Sequence, residues 1–185
     1  MNGEDDDILD VRNLKSGSEA AFDRLFDRYK ISLYKICYRY ARNDADALEL
    51  TQDIFIKVYR NIRKFNEKAK FFTWLYRIAV NTCISFKRRH RVEVEEVEID
   101  SAGEEQSVHG APAVQNMHER VRMKMAIDSA LSKVPERQRL TFILHHYEGY
   151  KFVEIWPIMG ITTGAAKANY HQAVKKLRLH LRDWL

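Results

Sequence analysis

Apolar residues recur at intervals of three and four along most of this chain, which is the spacing of one helix face. Stripes of this kind run through residues 22–40, 50–62 and 75–86. Asn43 and Asp44 interrupt the pattern after the first stripe and can supply a helix N-cap. The pattern predicts three amphipathic helices in the first half of the chain and an all-α fold class.

The helical pattern is lost after residue 91. Residues 92–98 alternate briefly between valine and glutamate, and then Ser, Gly, Ala and Pro become common. We interpret this stretch as a flexible acidic linker, because a single short strand has no partner here. Helical spacing resumes near His118, and Pro135 is placed to begin a further helix. The predicted organisation is two small helical domains, residues 1–91 and 119–185, joined by the linker 92–118.

The last forty residues contain the parts of a helix-turn-helix. A short apolar segment, Phe152–Met159, is followed by Gly160, a threonine cap and a second helix from Gly164 to about Leu181. The second helix carries Lys, Asn, His and Gln on one face, and such side chains can read bases in the major groove. An ordinary helical hairpin with a solvated cationic face is the alternative for this segment taken alone.

Charge is distributed unevenly along the chain. Of 185 residues 31% are charged, and the net charge is +5. Residues 60–91 carry net +9 and residues 120–185 net +7, whereas 92–119 carry net −8 and 1–59 net −3. Two basic blocks separated by an acidic one favour contact with a polyanion over a set of evenly solvated faces.

Several other classes of protein are disfavoured by the sequence. The two cysteines, Cys37 and Cys83, sit at apolar helical positions, which predicts buried reduced thiols rather than a disulfide or zinc site. The N-terminus is acidic, unlike a secretory signal, and no apolar stretch is long enough to span a membrane, so we expect a cytoplasmic protein. No phosphate loop, metal-ligand spacing or nucleophile–base pattern is present. We therefore expect no enzymatic activity, cofactor or metal.

Three segments in order resemble one known family. Residues 46–55 (DALELTQDIF) resemble its core-binding helix, and residues 71–81 (FFTWLYRIAVN), followed by a Lys/Arg cluster, resemble its promoter-binding helix. Residues 131–139 (LSKVPERQR) and the helix-turn-helix resemble its C-terminal module. The family is the extracytoplasmic-function group of bacterial RNA polymerase sigma factors. The resemblance covers most of the chain and implies a sigma-2-like helical bundle and a sigma-4-like helix-turn-helix domain.

The resemblance implies that the first domain binds core RNA polymerase. In the family, the helix around residues 46–58 docks on a coiled coil of the largest polymerase subunit. The residues placed to pair with its arginines are Asp46, Glu49, Gln52 and Asp53. The simpler interpretation is that these are solvated acids favoured by the positive end of the helix dipole.

The same domain is expected to open and read the −10 promoter element. Strand opening requires cations for the backbone and a pocket for an extruded base. The candidates in the loop and on the helix that follows it are Asn66, Lys68, Lys70, Phe71, Arg77, Asn81, Lys87, Arg88 and Arg89. We expect Phe72 and Trp74 to pack in the core rather than stack on bases.

The second domain is expected to read the −35 element. Its candidate contacts are Thr163, on a phosphate, and Lys167, Ala168, Asn169, His171 and Gln172. The implied partners are core RNA polymerase, promoter DNA and an anti-sigma factor. The acidic linker either passes through the polymerase channel or serves as a solubilising tether. A helix-turn-helix activator that is not a sigma subunit is the alternative function, and binding to core polymerase distinguishes the two.

Several residues depart from the family pattern in the helix-turn-helix. Trp156 stands where the family usually has a small alanine, and Ala166 where it usually has valine, which predicts that the two packed volumes compensate. Pro157 lies inside the first helix of the motif, so we expect that helix to begin late and to leave the proline in its first turn.

Overall fold

The structure, a computed structural model, describes residues 3–94, 122, 123 and 125–184; the side chains of 3–5, 87–94 and 183 lie outside the description. All regular secondary structure among these residues is helical, which confirms the predicted all-α class. The helices are α1 Gly3–Lys15, α2 Glu19–Ala41, α3 Asp44–Asn61, α4 Phe71–Val94, α5 125–132, α6 Glu136–Phe142, α7 Phe152–Met159 and α8 Thr163–His180.

Helices α2, α3 and α4 form the core of the N-terminal module along the three predicted stripes. The Asn43 side chain accepts a hydrogen bond from the backbone N–H of Asp46 at 2.7 Å, so α3 begins with a side-chain cap, as the sequence predicts. Cys37 and Cys83 are both buried, as predicted, and no disulfide joins them. Helix α4 continues to Val94, past the domain boundary expected at residue 91.

Helix α1 has no counterpart among the predicted elements. It packs on α2 through buried Val11 and Leu14 and through two carboxylates that are almost fully buried, Asp7 and Asp10. The partners of these carboxylates lie on α2: Arg28 donates to Asp7 at 2.5 Å and to Asp10 at 3.1 Å, Arg24 donates to Asp10 at 2.7 Å, and Tyr29 donates to Asp7. Buried charges are stable only when paired in this way.

The helix-turn-helix consists of α7 and α8. Gly160 ends α7 with a φ of 64°, in the left-handed region that glycine adopts without strain, and the Thr162 hydroxyl caps α8 by accepting from Ala165 N–H at 3.1 Å. The expected late start of α7 is wrong, because the helix begins at Phe152 and Pro157 lies beyond its first turn. The carbonyl four residues earlier, on Val153, belongs to an exposed residue, so water can replace the lost hydrogen bond.

Trp156 lies at the surface, which contradicts the predicted volume compensation with Ala166. Its side chain is 46% exposed, whereas Ala166 is fully buried. We therefore expect Trp156→Ala to lower the free energy of unfolding by less than about 1 kcal/mol, because a surface substitution leaves no core cavity. Thermal unfolding of Trp156→Ala is compared with that of Ile155→Ala, which removes a fully buried side chain in the same helix. Ile155→Ala should lose much more stability. Equal losses of stability would show that Trp156 is a core residue.

The two modules pack against each other. One continuous apolar core joins buried residues of α2, α3 and α4 to Leu144, Ile155, Ile158 and other residues of α6 and α7. Helix α7 lies on α4, and the π-helical turn Ile143–Tyr147 that ends α6 lies on α2. A second, smaller core holds α5, α6 and α8 together within the C-terminal module.

Candidate nucleic-acid interface

The acidic face of α3 is only partly free of local contacts. Glu49 and Gln52 are exposed, as a docking role requires. Asp46 accepts from the Asn43 side chain at 2.7 Å, so it also serves the N-cap of its own helix. Asp53 lies 4.0 Å from Lys57, one turn further along.

An apolar strip that the sequence did not predict lies beside this face. Leu48, Ile56 and Tyr59 lie on the exposed side of α3, and Tyr59 is 53% exposed. Together with Phe22 and Phe26 of α2, two of them border a groove of about 410 Å³. In the sequence, the available signal is a set of apolar residues one and two turns apart that lie off the buried stripe of α3. An exposed apolar patch of this kind is typical of a protein-binding surface.

The loop between α3 and α4 presents three of its four candidates to solvent. Asn66, Lys68 and Lys70 are exposed. Phe71 is 2% exposed and packs against Tyr29, Phe65 and Trp74, with ring centroids 5.8 to 5.9 Å away. Phe71 therefore packs in the core under the loop and is not placed to contact DNA directly. This corrects its assignment to the −10 contacts.

A groove lined by six polar and two apolar residues runs between the end of α3 and the middle of α4. It has a volume of about 410 Å³ and contains the predicted base contact Asn81, which is exposed. Its other lining residues are Lys57, Asn61, Lys64, Trp74, Ile78, Thr82 and Ser85. Lys57 donates to the Thr82 hydroxyl at 3.0 Å, which holds one cation at the groove floor. The lining includes two cations and no carboxylate, which suits a nucleic-acid strand.

The sequence reasoning missed the α3 side of this groove. Lys57, Asn61 and Lys64 were not among the candidates, because their sequence positions assign them to the helix that carries the docking face. Helical spacing of three and four places all three on one side of α3 and its terminal turn. That side of α3 faces α4, so the packing of the two helices places these three residues in the same groove as Asn81.

Arg77, a candidate −10 contact on α4, is engaged by the other module. Its guanidinium donates through Nε and Nη2 to the carbonyl oxygen of Pro157 at 3.0 and 2.5 Å. The last three candidates of α4, Lys87, Arg88 and Arg89, lie on a helical backbone, but their side chains are outside the described residues.

Helix α8 presents most of the predicted −35 contacts on its outer face. Lys167, Ala168, His171 and Gln172 are exposed, and Thr163 and Asn169 are half-buried. The opposite face is anchored by Tyr170, whose ring lies 4.6 Å from His145, 5.7 Å from Phe152 and 5.8 Å from Phe142. These contacts fix the orientation of α8 relative to α6 and α7.

Side chains from both modules meet around Tyr150, which follows the turn after α6. Its ring centroid lies 5.1 Å from that of Phe72 and 5.5 Å from that of Tyr76. Burial in this cluster raises the pKa of both tyrosines, so their hydroxyl groups stay protonated. Beside them Arg39 of α2 pairs with Glu148 and stacks on Tyr147, with the guanidinium 4.5 Å from the ring centroid.

Arg139 of α6 is a buried cation at the same interface. Its side chain is 3% exposed, and its guanidinium lies 4.4 Å from the ring centroid of Tyr40 on α2. Within the described part of the chain, Nε and Nη2 of Arg139 have no hydrogen-bond partner of good geometry, although the Tyr40 hydroxyl lies near the guanidinium.

Among the described residues, no cluster of His, Cys, Asp or Glu side chains is arranged to hold a metal ion. Over the same residues, every helix is too short or too polar to cross a bilayer.

Comparison with known proteins identifies both modules. Residues 25–93 match the family model for sigma-70 region 2, and residues 124–177 match the model for sigma-70 region 4. The chain is 30% identical over 179 residues to the ECF RNA polymerase sigma factor SigW of Bacillus subtilis, covering 94% of this chain and 95% of SigW. It is 26% identical to the ECF RNA polymerase sigma-E factor of Escherichia coli, covering 91% and 90% of the two chains.

Solved structures share the fold. The structure of CnrH in complex with the cytosolic domain of CnrY matches with a TM-score of 0.69 at 20% identity, over 96% of this chain and 98% of that one. The sigma factor RpoE of Bartonella quintana, in complex with the anti-sigma factor NepR, matches with a TM-score of 0.63 at 21% identity, over 87% and 96%. With both regions present in the family order and a relative at 30% identity over nearly its whole length, this chain belongs to the extracytoplasmic-function family of RNA polymerase sigma factors.

Proposed function

We infer that this protein is an alternative sigma factor that binds core RNA polymerase, recognises −10 and −35 promoter elements, starts transcription and is controlled by an anti-sigma factor. The observation that carries this function is the presence of regions 2 and 4 in one chain that aligns with SigW over 94% of its length. Sigma factors are DNA-recognition subunits of the polymerase and not themselves enzymes.

The polymerase-docking face is proposed to combine Glu49 and Gln52 with the apolar strip of α3. Exposed polar groups at the edge of an apolar patch give an interface its specificity, while the patch supplies buried area. Leu48, Ile56 and Tyr59 are the apolar members of this face.

The −10 element is proposed to meet the groove between α3 and α4 and the loop before α4. Asn81 can hydrogen-bond a base edge, whereas Lys57 and Lys64 can neutralise phosphates. Asn66, Lys68 and Lys70 extend this basic surface towards the loop. In the C-terminal module, the exposed face of α8 is proposed to enter the major groove, with Gln172 placed to read a base and Lys167 to contact the backbone or a guanine.

The packed arrangement of the two modules cannot engage both promoter elements at once. The centres of elements at −10 and −35 are about 25 base pairs, or roughly 85 Å, apart along B-form DNA, whereas α7 touches α4 directly. The roughly 27 residues between Val94 and Arg122 can reach at most about 95 Å when extended. We therefore propose that the modules separate on the promoter and that each keeps its own fold.

Run-off transcription tests the function. Purified core RNA polymerase is incubated with a genomic promoter pool, with and without this protein, and we expect discrete new transcripts only in its presence. Gln172→Ala should then weaken the base preference at one −35 position, because a lost bidentate contact costs about 1 to 3 kcal/mol of discrimination. DNA binding by the free protein without any binding to core polymerase would instead indicate a helix-turn-helix activator.

A further inference from the structure

One cluster of charged side chains joins α1 to the loop before α4. Arg12 donates through Nε and Nη2 to Oε2 of Glu67 at 3.1 and 2.9 Å, and Lys15 Nζ donates to Oε1 at 3.1 Å. Both carboxylate oxygens of Glu67 are therefore held by α1. The hydrogen bonds from Arg12 and Lys15 lower the pKa of Glu67 below its ordinary value, so the group is ionised at neutral pH.

Glu67 also has an unfavourable backbone conformation. Its φ is 59°, in the left-handed region, where a residue with a Cβ atom is disfavoured and glycine is not. The side chain of Asn66 accepts from Lys68 N–H at 3.2 Å across the same turn. Because the backbone of Glu67 does not favour this turn, its shape depends on contacts made by the side chain.

The α1 end of the cluster is fixed in place. Asp7 and Asp10 tie the helix to α2 through the paired arginines described above. Lys15 has a second contact, with its ammonium 5.5 Å from the ring centroid of buried Phe65. Arg12 and Lys15 thus project from a helix that has little freedom to follow the loop.

The location of Glu67 connects this cluster to promoter DNA. Glu67 is the only acidic residue between residues 60 and 91, and it is flanked by the exposed residues Asn66, Lys68 and Lys70. Unpaired, its carboxylate would repel phosphates in the middle of a basic surface. A cleft of about 320 Å³ lies between α1 and the loop, bordered by Asp7, Ile8 and residues 67–72.

We propose that α1 is a positioning element for the promoter-facing loop, in which Arg12 and Lys15 hold Glu67 and thereby set the loop in the shape that receives unpaired promoter DNA. This role rests on the proposed function. Arg12, Lys15 and Glu67 do not need to touch DNA themselves. They act by setting the direction in which the loop side chains of Asn66, Lys68 and Lys70 point.

Two substitutions of Glu67 separate loop shape from simple loss of charge. Glu67→Ala and Glu67→Gly both remove the contacts with α1, but only glycine tolerates the left-handed backbone. We expect Glu67→Ala to slow promoter opening by about tenfold, because the left-handed conformation disfavours any residue with a Cβ atom by an amount that corresponds to about tenfold in rate. Glu67→Gly should slow opening much less. The rate is measured with holoenzyme on a linear promoter, from the permanganate reactivity of unpaired thymines over time.

The α1 side of the cluster is tested in the same assay. Arg12→Ala combined with Lys15→Ala should slow opening at least as much as Glu67→Ala, because the carboxylate left unpaired also repels phosphates. Adding Glu67→Gly to that double variant should restore most of the opening rate. Asp27→Asn is the matched control, because it neutralises a carboxylate in an exposed ion pair on α2, 2.6 Å from Lys30. It should leave the opening rate unchanged.

Two results would overturn the proposal: equal opening rates for the alanine and glycine variants, or a loss of affinity for core polymerase that parallels every loss of opening. Unchanged core affinity together with the expected order of rates supports it. Failure of the proposed function is a separate outcome, since the unsubstituted protein would then open no promoter with core polymerase.

Discussion

Replacing Arg39 and Tyr150 together by alanine is expected to shift the protein from the packed arrangement to separated modules. The double substitution removes the Arg39–Glu148 ion pair, the stacking of Arg39 on Tyr147, and the ring contacts of Tyr150 with Phe72 and Tyr76. Aromatic pairs contribute about 0.5 to 1.5 kcal/mol each, and a charge-assisted hydrogen bond about 1.5 to 3 kcal/mol. A total near 3 kcal/mol changes the ratio of packed to separated molecules by about a hundredfold.

Small-angle X-ray scattering measures this shift directly. A compact chain of 185 residues has a radius of gyration of roughly 16 Å, and the double variant should have a larger radius of gyration than the unsubstituted protein. Its apparent affinity for core polymerase bound to a promoter should rise, because a larger fraction of molecules is competent to bind. Affinity for a short duplex that carries only the −35 element should not change, because the outer face of α8 is exposed in the packed arrangement.

Tyr34→Ala combined with Lys35→Ala is the matched control for this prediction. Tyr34 stacks on Tyr38 within α2, with ring centroids 6.1 Å apart, so its removal disturbs one module and not the contact between them. Lys35 is exposed on the same helix. A radius of gyration that rises equally in the control would show that the expansion comes from loosening of the N-terminal module.

The sequence predicts those parts of the fold that depend on local periodicity. Helices α2, α3 and α4 follow stripes of apolar residues, and α8 follows a capped turn, so each is specified by its own segment. Helix α1 was missed because its buried face carries Asp7 and Asp10, which look like surface residues until their partners on α2 are known. A carboxylate is buried at low cost only beside cations that lie elsewhere in the sequence.

The candidate site was predictable to the same extent. The outer face of α8 follows from helical spacing, and exposed Asn81 follows from the family motif. Phe71 and Trp156 were both misjudged, because whether an aromatic residue near a binding face is buried depends on which helix packs against it. Two features depend on contacts between distant segments: the contribution of α3 to the basic groove, and the packing of α7 on α4. The periodicity within one segment does not predict such contacts.

Arg139→Met is expected to increase the free energy of unfolding by up to about 4 kcal/mol, by analogy with buried ion pairs, whose replacement by apolar side chains of similar volume is neutral or stabilising by about 1 to 4 kcal/mol. Arg139 is 3% exposed, and its guanidinium makes a cation–π contact with Tyr40. That contact contributes about 2 kcal/mol when desolvated, while each hydrogen bond left unmade by a buried charged group costs at least about 1 to 3 kcal/mol. Within the described residues two of its nitrogens lack a partner, so the cost exceeds the gain.

Thermal unfolding distinguishes this account from a general benefit of added apolar surface. For a chain of this length each kcal/mol shifts the Tm by about 2 to 4 °C. Arg137→Met makes the same change two residues away, at an exposed position of the same helix, and should alter stability by no more than about 0.5 kcal/mol. A lower Tm for Arg139→Met would show that Arg139 is fully hydrogen-bonded in solution. A higher Tm accompanied by weaker binding to the polymerase–promoter complex would place the added stability in the contact between modules, because α6 and α2 meet at Arg139 and Tyr40.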